Sequence, residues 1–483
     1  MTDQDWRAVL ADVVEHAVSY REGAPRRRHN PQQSYAEARA AFDAPTPERA
    51  QDGASIVAEL ARLAEPGLAN IIGPRFFGWV MGQSHPTGVA ADWLVSAWGQ
   101  NVGNAHATPT ASACEEVVAR WLLDLLDLPP ESSVGFVSGA TMANFTCLAA
   151  ARGEALRRVG WDVEADGLVG APPIHVVVGE EAHSTIFSAL RYLGLGAKRI
   201  VSVPVDQQGR MRAGALAQAI APLNGPMIVI AQAGHINSGG FDPFSHVAEA
   251  AHAKGAWVHV DGAFGLWARA CKDRAHLGQG LELCDSWGVD GHKWLQTPYD
   301  SAYAIVRDAS AHRRAMGISA SYLPEGEERH PADFTPELSR RARGFATWAT
   351  IKAFGREGID DLVQRDCALA RRMAERLGVA PDVEILNDVV LNQVALRLGS
   401  DLEGEASDAL TVRTIARIQR EGVCFVGGAH WRGRQIIRIS VCGMNTTEAD
   451  ADASADAILD AWRAERAAGA ERIDISGALP RSP

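Results

Sequence analysis

Lysine is nearly absent from this chain: five of its 47 basic residues are lysine (Lys198, Lys254, Lys272, Lys293 and Lys352) and the rest are arginine. A composition that uses arginine wherever only positive charge is wanted makes each lysine a question about an amine. The seven cysteines are scattered, odd in number and without a CxxC pair, which excludes a disulfide frame or a thiolate zinc site as the organising device, and no metal is expected. No run of about 18 consecutive apolar residues occurs, and the opening MTDQDWRAVL has no apolar core of signal-peptide length, so neither a membrane span nor an export signal is expected. Long basic runs are missing too. With Arg26 to Arg28 the one tight cluster and a net charge of −12, an extended nucleic-acid surface is not expected. With these absences a soluble cytoplasmic protein is expected.

What is present is average in amount and particular in order. The 483 residues, 47% hydrophobic and 22% charged, suffice for two or three domains around a large core. Residues 1–70 alternate helical patterns with a Pro/Arg-rich bend, and Ala54 to Ala64 has the spacing of a packing or subunit-contact helix. PRFFGWVMGQSHP then places Phe76, Phe77, Trp79 and His85 together, followed by Trp98 and by the small-residue turn NAHATPTAS around His106. That composition suits a pocket wall or an interface. EEVVARWLLDLLDLP, from Glu115, reads as an amphipathic helix stopped by Pro129.

From residue 135 to 307 strand and helix patterns alternate, which predicts an α/β domain around a mostly parallel seven-stranded sheet. Strands are expected at Gly135 to Ser138, Ile174 to Val178, Arg199 to Pro204, Met227 to Ala231, Trp257 to Asp261, Asp285 to Val289 and Ala302 to Arg307. A polar, proline-containing loop follows Tyr322, and ELSRRARGFATWATIKAFG reads as helix. The rhythm changes near residue 355, so three parts are expected: a helical segment 1–70, a large domain 71–354, and a smaller α+β domain 355–483.

Ligands of open α/β sheets sit beyond the carboxyl ends of the strands, and four features fall there. VSGATMANF exposes the backbone N–H groups of Gly139, Ala140 and Thr141 at a helix start, a place that stabilises phosphate. GEEAHSTIF puts His183 just after a strand, where an imidazole can stack on a flat ring or move a proton. AWVHVDGAFG delivers Asp261 at the end of an apolar strand, where a carboxylate is costly unless it meets a cation such as a pyridinium. DSWGVDGHKW places Lys293 after the next strand, with His292 beside it. A lysine after a strand is ordinarily a solvated residue; a lysine in this company is a Schiff-base nucleophile for pyridoxal 5′-phosphate.

With VDGHKWLQTPYDSAY, FVSGATMAN, AHST, GHINSGGFDP and VDGAFG in hand, the chain resembles the group II pyridoxal-phosphate-dependent amino acid decarboxylases, which include aromatic-amino-acid, glutamate, histidine and diaminobutyrate decarboxylases. The resemblance runs from about Phe76 into the C-terminal domain. It implies the type I, aspartate aminotransferase-like fold and a homodimer with active sites at the subunit interface. It also implies roles: Lys293 holding the cofactor, Asp261 on the ring nitrogen, Ala263 and His183 on the two ring faces, and Ala140, Thr141 and His292 on the phosphate. Asn237 would lie near the ring, and Phe76, Phe77, Trp79, His85, Trp98 and His106 would line the substrate pocket. In animal and plant members a loop tyrosine returns the proton after CO2 leaves. Phe334 is expected at that place here, with Tyr322 or His330 as other donors, so oxidative deamination to an aldehyde stands beside decarboxylation to an amine. Aminotransfer, with Arg438 on the α-carboxylate, and β-elimination are further alternatives, and a non-enzymatic scaffold gives no reason for Asp261 and Lys293 together.

Overall fold

The computed structural model describes residues 6–318 and 328–477. Helices α1 (Trp6–Gly23), α2 (Tyr35–Phe42), α3 (Gly53–Ala64), α4 (Pro86–Trp98) and α5 (Pro109–Leu125) precede the first strand. Strands β1 (Ser133–Val137), β2 (His175–Gly179), β3 (Ile200–Val203), β4 (Met227–Gln232), β5 (Trp257–Asp261), β6 (Ser286–Asp290) and β7 (Ala302–Val306) form one sheet in the order β1-β7-β6-β5-β4-β2-β3. The pairs β2–β3, β2–β4, β4–β5 and β5–β6 are parallel, while β7 runs antiparallel to β1 and β6. Helices α6 (Ala140–Arg157), α7 (Val163–Asp166), α8 (Ser184–Tyr192), α9 (Ala213–Ile220) and α10 (Phe244–His252) serve the crossovers, with α11 (Ala309–Met316) after β7.

Burial explains why the central strands carry no alternation. Every residue of β1, β5, β6 and β7 is buried, as expected of a sheet covered on both faces, and their sequences read as near-continuous apolar runs. The exception in direction, β7, follows from chain length. Residues 291–301 join it to β6 and are too few for a helical crossover, so the chain must turn back antiparallel. Lys293 lies in that return.

Beyond it, α12 (Arg343–Gly378) is interrupted at Gly355, whose φ of 64° is non-helical. Strands β8 (Val383–Ile385), β9 (Gln393–Leu398), β10 (Gly427–Trp431) and β11 (Arg434–Ser440) form a second sheet in the order β10-β11-β9-β8, accompanied by α13 (Gly404–Glu421) and α14 (Glu448–Gly477). The chain divides into two compact units, Met1–Trp79 with Arg372–Ile385 and Ala395–Pro483, and Val80–Arg371 with Leu386–Val394.

Three local expectations are corrected. Glu337 to Ala342 is not helical: Arg340 is held sideways by a bidentate pair with buried Glu115 (2.6 and 2.8 Å), and its backbone bonds Asn101 and Val102 instead of its own turn. The turn around His106 ends earlier than its composition suggests, because Pro109 opens α5 at the position where its missing N–H costs nothing. β10 was hidden by its two glycines, which blur a strand pattern.

Candidate active site

Neighbouring strands lie about 4.8 Å apart, so residues at the ends of adjacent parallel strands must meet. Asp261 closes β5, in register with Gly288 of β6, and is buried, accepting the Ala263 N–H at 3.3 Å. Two residues past Gly288, Asp290 closes β6 and donates its N–H to the Ala263 carbonyl at 2.9 Å. The return loop then brings Lys293 back so that its Nζ lies 2.9 Å from Asp290 Oδ2, while His292 Nε2 lies 3.6 Å from Asp290 Oδ1. The amine also sits 5.8 Å from the Phe264 ring centroid. Burial depresses the His292 imidazole below its ordinary value, against the pull of Asp290 and with the help of Lys293.

Two further expected residues join from the other side. His183 is the N-cap of α8, its Nδ1 bonded to Thr185 Oγ1 at 2.8 Å. With Gly179, Ala182, Ile186 and Gln232 it lines a narrow cavity whose far wall includes Asp261. The start of α6 faces the return loop: a Cβ on Gly139 would lie 3.7 Å from His292 Cε1 and 4.0 Å from Asp290 Oδ1, and the Ala140 N–H is given to Asp290 Oδ1 at 2.6 Å. Asn237 is buried in the turn after β4, where its Oδ1, like His292 Nδ1, is a buried polar atom with no hydrogen-bond partner.

Buried tryptophans brace these strands, and two of them, Trp267 and Trp294, brace the strand end and the return loop. Trp257, Trp267, Trp287 and Trp294 are fully buried, and each indole N–H has an acceptor: Ser286 Oγ, the Asp290 carbonyl, the Leu281 carbonyl and Asp366 Oδ2. Satisfied indoles combine apolar area with a fixed orientation, which holds the return loop still. A strap pins it from the opposite side. Gly82 donates to the His292 carbonyl at 3.1 Å, and a Cβ there would come within 2.3 Å of the Lys293 carbonyl oxygen, so only glycine allows the approach. Buried Gln296 donates to the Lys293 carbonyl at 3.0 Å and accepts the Gln83 N–H at 2.6 Å.

Asp290, Gln296 and Gly82 were missed by sequence reasoning. The signal for Asp290 was an acid ending an apolar strand three residues before the lysine, the same signal that identified Asp261.

Apart from His106, the residues expected at the substrate wall have partners within their own units. Phe76 and Trp79 stack on Phe425 at 4.6 and 5.5 Å between centroids, and Phe77 is buried with its N–H on the Phe425 carbonyl, so these rings pack with their own unit. His85 caps one end of α4 and meets Phe354, while Trp98 is the helix's last residue and meets Phe345. Thirteen positions of helix separate the two by about 20 Å, and His106 is exposed. Phe334 is buried. It lies in a short 3-10 turn, buried against His312 at 5.2 Å and under the Arg329 guanidinium, with its carbonyl at the middle of β1. His330 accepts the Ala105 N–H at 3.2 Å, and Tyr322 lies outside the described residues. Arg438, on β11, is largely buried with its Nε unpartnered, and burial lowers its proton affinity.

A cavity lined by both His183 and Asp261, two buried polar atoms without partners, a helix start and a nearby amine suit one group, pyridoxal 5′-phosphate. Known proteins agree. Residues 35–399 match the family described as "Pyridoxal-dependent decarboxylase conserved domain", and the chain belongs to that family, with pyridoxal phosphate as its cofactor. It is 26% identical over 412 residues to an aromatic-L-amino-acid decarboxylase of Bacillus atrophaeus, covering 83% of this chain and 84% of the relative. It is also 26% identical over 407 residues to a 4-hydroxyphenylacetaldehyde synthase of Rhodiola rosea, covering 81% of each. The crystal structure of Oryza sativa TDC with PLP and tryptamine shares its fold, with a TM-score of 0.89 at 24% identity, over 96% of this chain and 98% of that one.

Proposed function

We propose that this chain removes the α-carboxylate of an L-amino acid with an aromatic side chain and releases the amine. The observation that carries the reading is the convergence of the Lys293 amine, the Asp261 carboxylate and the His183 imidazole at the ends of adjacent elements. Bound there, pyridoxal phosphate supplies an electron sink for the bond that breaks. Lys293 is the amine to which its aldehyde is tied. Asp261, kept from water at the end of β5, holds a proton on the ring nitrogen, and His183 and Ala263 hold the ring's two faces. His292, Thr141, Gly139 and Ala140 would serve the phosphate, and Asn237, whose buried Oδ1 has no partner, would contact the cofactor. The aromatic preference rests on the Bacillus relative's substrate class.

The working form is proposed to be a cytoplasmic homodimer. Trp6, Leu10, Val14 and Val18 repeat every four residues along α1 and are all exposed, as are Trp93, Leu94 and Trp98 on α4. Apolar stripes of that length are features of surfaces that a second copy covers. Among the described residues no helix is long and apolar enough to cross a membrane.

A second reading, oxidative deamination to an aldehyde, keeps its place because the chain is 26% identical to the aldehyde synthase, as it is to the decarboxylase. A panel of L-amino acids scored together for CO2, amine, aldehyde and oxygen uptake tests both. The expected result is amine equal to CO2 with no oxygen consumed. Aldehyde, ammonia and peroxide in place of amine favour the second reading, and no CO2 from any amino acid refutes the first.

A further inference from the structure

We infer that Asp290 is a built-in anion standing where the cofactor's phosphate is to be received, a positioning residue that holds Lys293 in the unloaded enzyme and weakens the grip on phosphate in the loaded one. The inference rests on the proposed binding of the phosphate at the start of α6. Its own observation is that the place is already taken by a carboxylate. Asp290 is almost wholly buried, with its side chain 3% exposed. One oxygen accepts the Ala140 N–H at 2.6 Å, in the first turn of an 18-residue helix, and the other accepts from Lys293 Nζ at 2.9 Å. An anion gains at a helix start from the unpaired N–H groups and the dipole. Asp290 therefore draws on the same donors that a phosphate needs.

Two consequences follow from this arrangement. In the unloaded enzyme the partly buried Lys293 amine has the Asp290 carboxylate as its partner, so it is held at the mouth of α6. When a dianion arrives, it must either displace the carboxylate from Ala140 or sit beside it, and like charges a few ångströms apart in a poorly solvated site repel strongly. His292, which also faces Asp290, has its proton affinity lowered by burial and so offers less compensation than a surface imidazole would. Asp290 thus trades cofactor retention for a preformed lysine, and the enzyme it describes exchanges readily between loaded and unloaded forms.

Sulfate, a dianion at every relevant pH, is the probe. Its affinity is measured by calorimetry at about pH 8, where an unperturbed imidazole is neutral, on the unloaded wild type, Asp290→Asn and Asp290→Glu, counting only sulfate that pyridoxal phosphate displaces. Asp290→Asn keeps the shape and removes the charge, and is expected to bind sulfate about tenfold tighter or more; Asp290→Glu restores the charge and the weak binding. A damaged fold lowers affinity, so a gain separates charge from structure, and Asp290→Ser carries the same test if the asparagine variant does not fold. Equal or weaker sulfate binding by the neutral variants overturns the inference. Pyridoxal phosphate uptake by the wild type, read as a borohydride-fixed absorbance, is followed in parallel. Uptake with unchanged sulfate affinities sinks the Asp290 inference alone, whereas no uptake sinks the cofactor site and the inference with it.

Discussion

The ends of β5 and β6 and the aromatic stretch from Phe76 to Trp98 are both dense in chemistry-bearing side chains, and the fold treats them in opposite ways. At the strand ends the parallel register of β5 and β6 sets Asp261 near Asp290, and the return loop folds Lys293 back onto Asp290. In the aromatic stretch nothing fixes direction. Phe76, Phe77 and Trp79 turn to Phe425, His85 and Trp98 sit at opposite ends of a helix, and Trp79 and Trp98 remain 54% and 52% exposed. Position on a regular element predicts a site; local composition does not.

That contrast can be broken most forcefully at Lys293. Lys293→Ala is expected to cost about a thousandfold or more in turnover, measured as CO2 release, since no neighbouring arginine can take the amine's place. Asp261→Asn should lower turnover by about a hundredfold to a thousandfold while retaining cofactor uptake, because the charge is lost and the shape is kept; a change under threefold would take Asp261 out of the site. Gln296→Ala removes the bonds that pin the Lys293 carbonyl and the strap at Gln83. We expect roughly a tenfold fall in turnover and a stability loss of about 1–2 kcal/mol in urea unfolding. Unchanged values for both would show that the buried tryptophans hold the loop unaided.

Phe334→Leu sharpens the comparison from the other side. A core ring against His312 predicts a stability loss of about 1–2 kcal/mol with the ratio of amine to aldehyde unchanged; a shifted product ratio at unchanged stability would return Phe334 to the chemistry. The smallest effect concerns Asp366, which accepts the Trp294 indole N–H beneath the lysine loop. Burial, opposed by Arg365 and that bond, pushes its carboxyl up to about 7 from an ordinary 3.8. The folded protein therefore holds the proton more tightly than the unfolded chain, and the stability this group contributes is present below about pH 4 and lost as pH rises through 7. Asp366→Asn escapes that loss. Its Tm advantage over the wild type should widen from about pH 5 to 7 and level off above, and a pH-independent gap would contradict the assignment.

Much of this was legible before any coordinates. β5 occupies Trp257–Asp261 and α9 occupies Ala213–Ile220, the residues that hydrophobic pattern alone assigns. Lys293 stood out because arginine had been used nearly everywhere else. Asp290 was passed over because the expected strand ends one residue early, at Val289, whereas β6 runs on to Asp290. Gln296 has a φ of 59°, outside any regular element, and its two bonds reach Lys293 and Gln83, contacts that no periodicity encodes. Phe334 is a related case. A loop has no repeat to fix its register, so a ring on it could be placed near the chemistry by analogy but not by physics.

The central claim is that Lys293, held between Asp290 and the return from β6 to β7, is the one residue that binds the cofactor covalently. Borohydride reduction of the pyridoxal phosphate-loaded wild type, followed by peptide mapping, tests it directly. The prediction is a single pyridoxyl label on the peptide DGHKWLQTPYD at Lys293, absent from Lys293→Ala. A label on Lys198, Lys254, Lys272 or Lys352, or one that survives in Lys293→Ala, would contradict it.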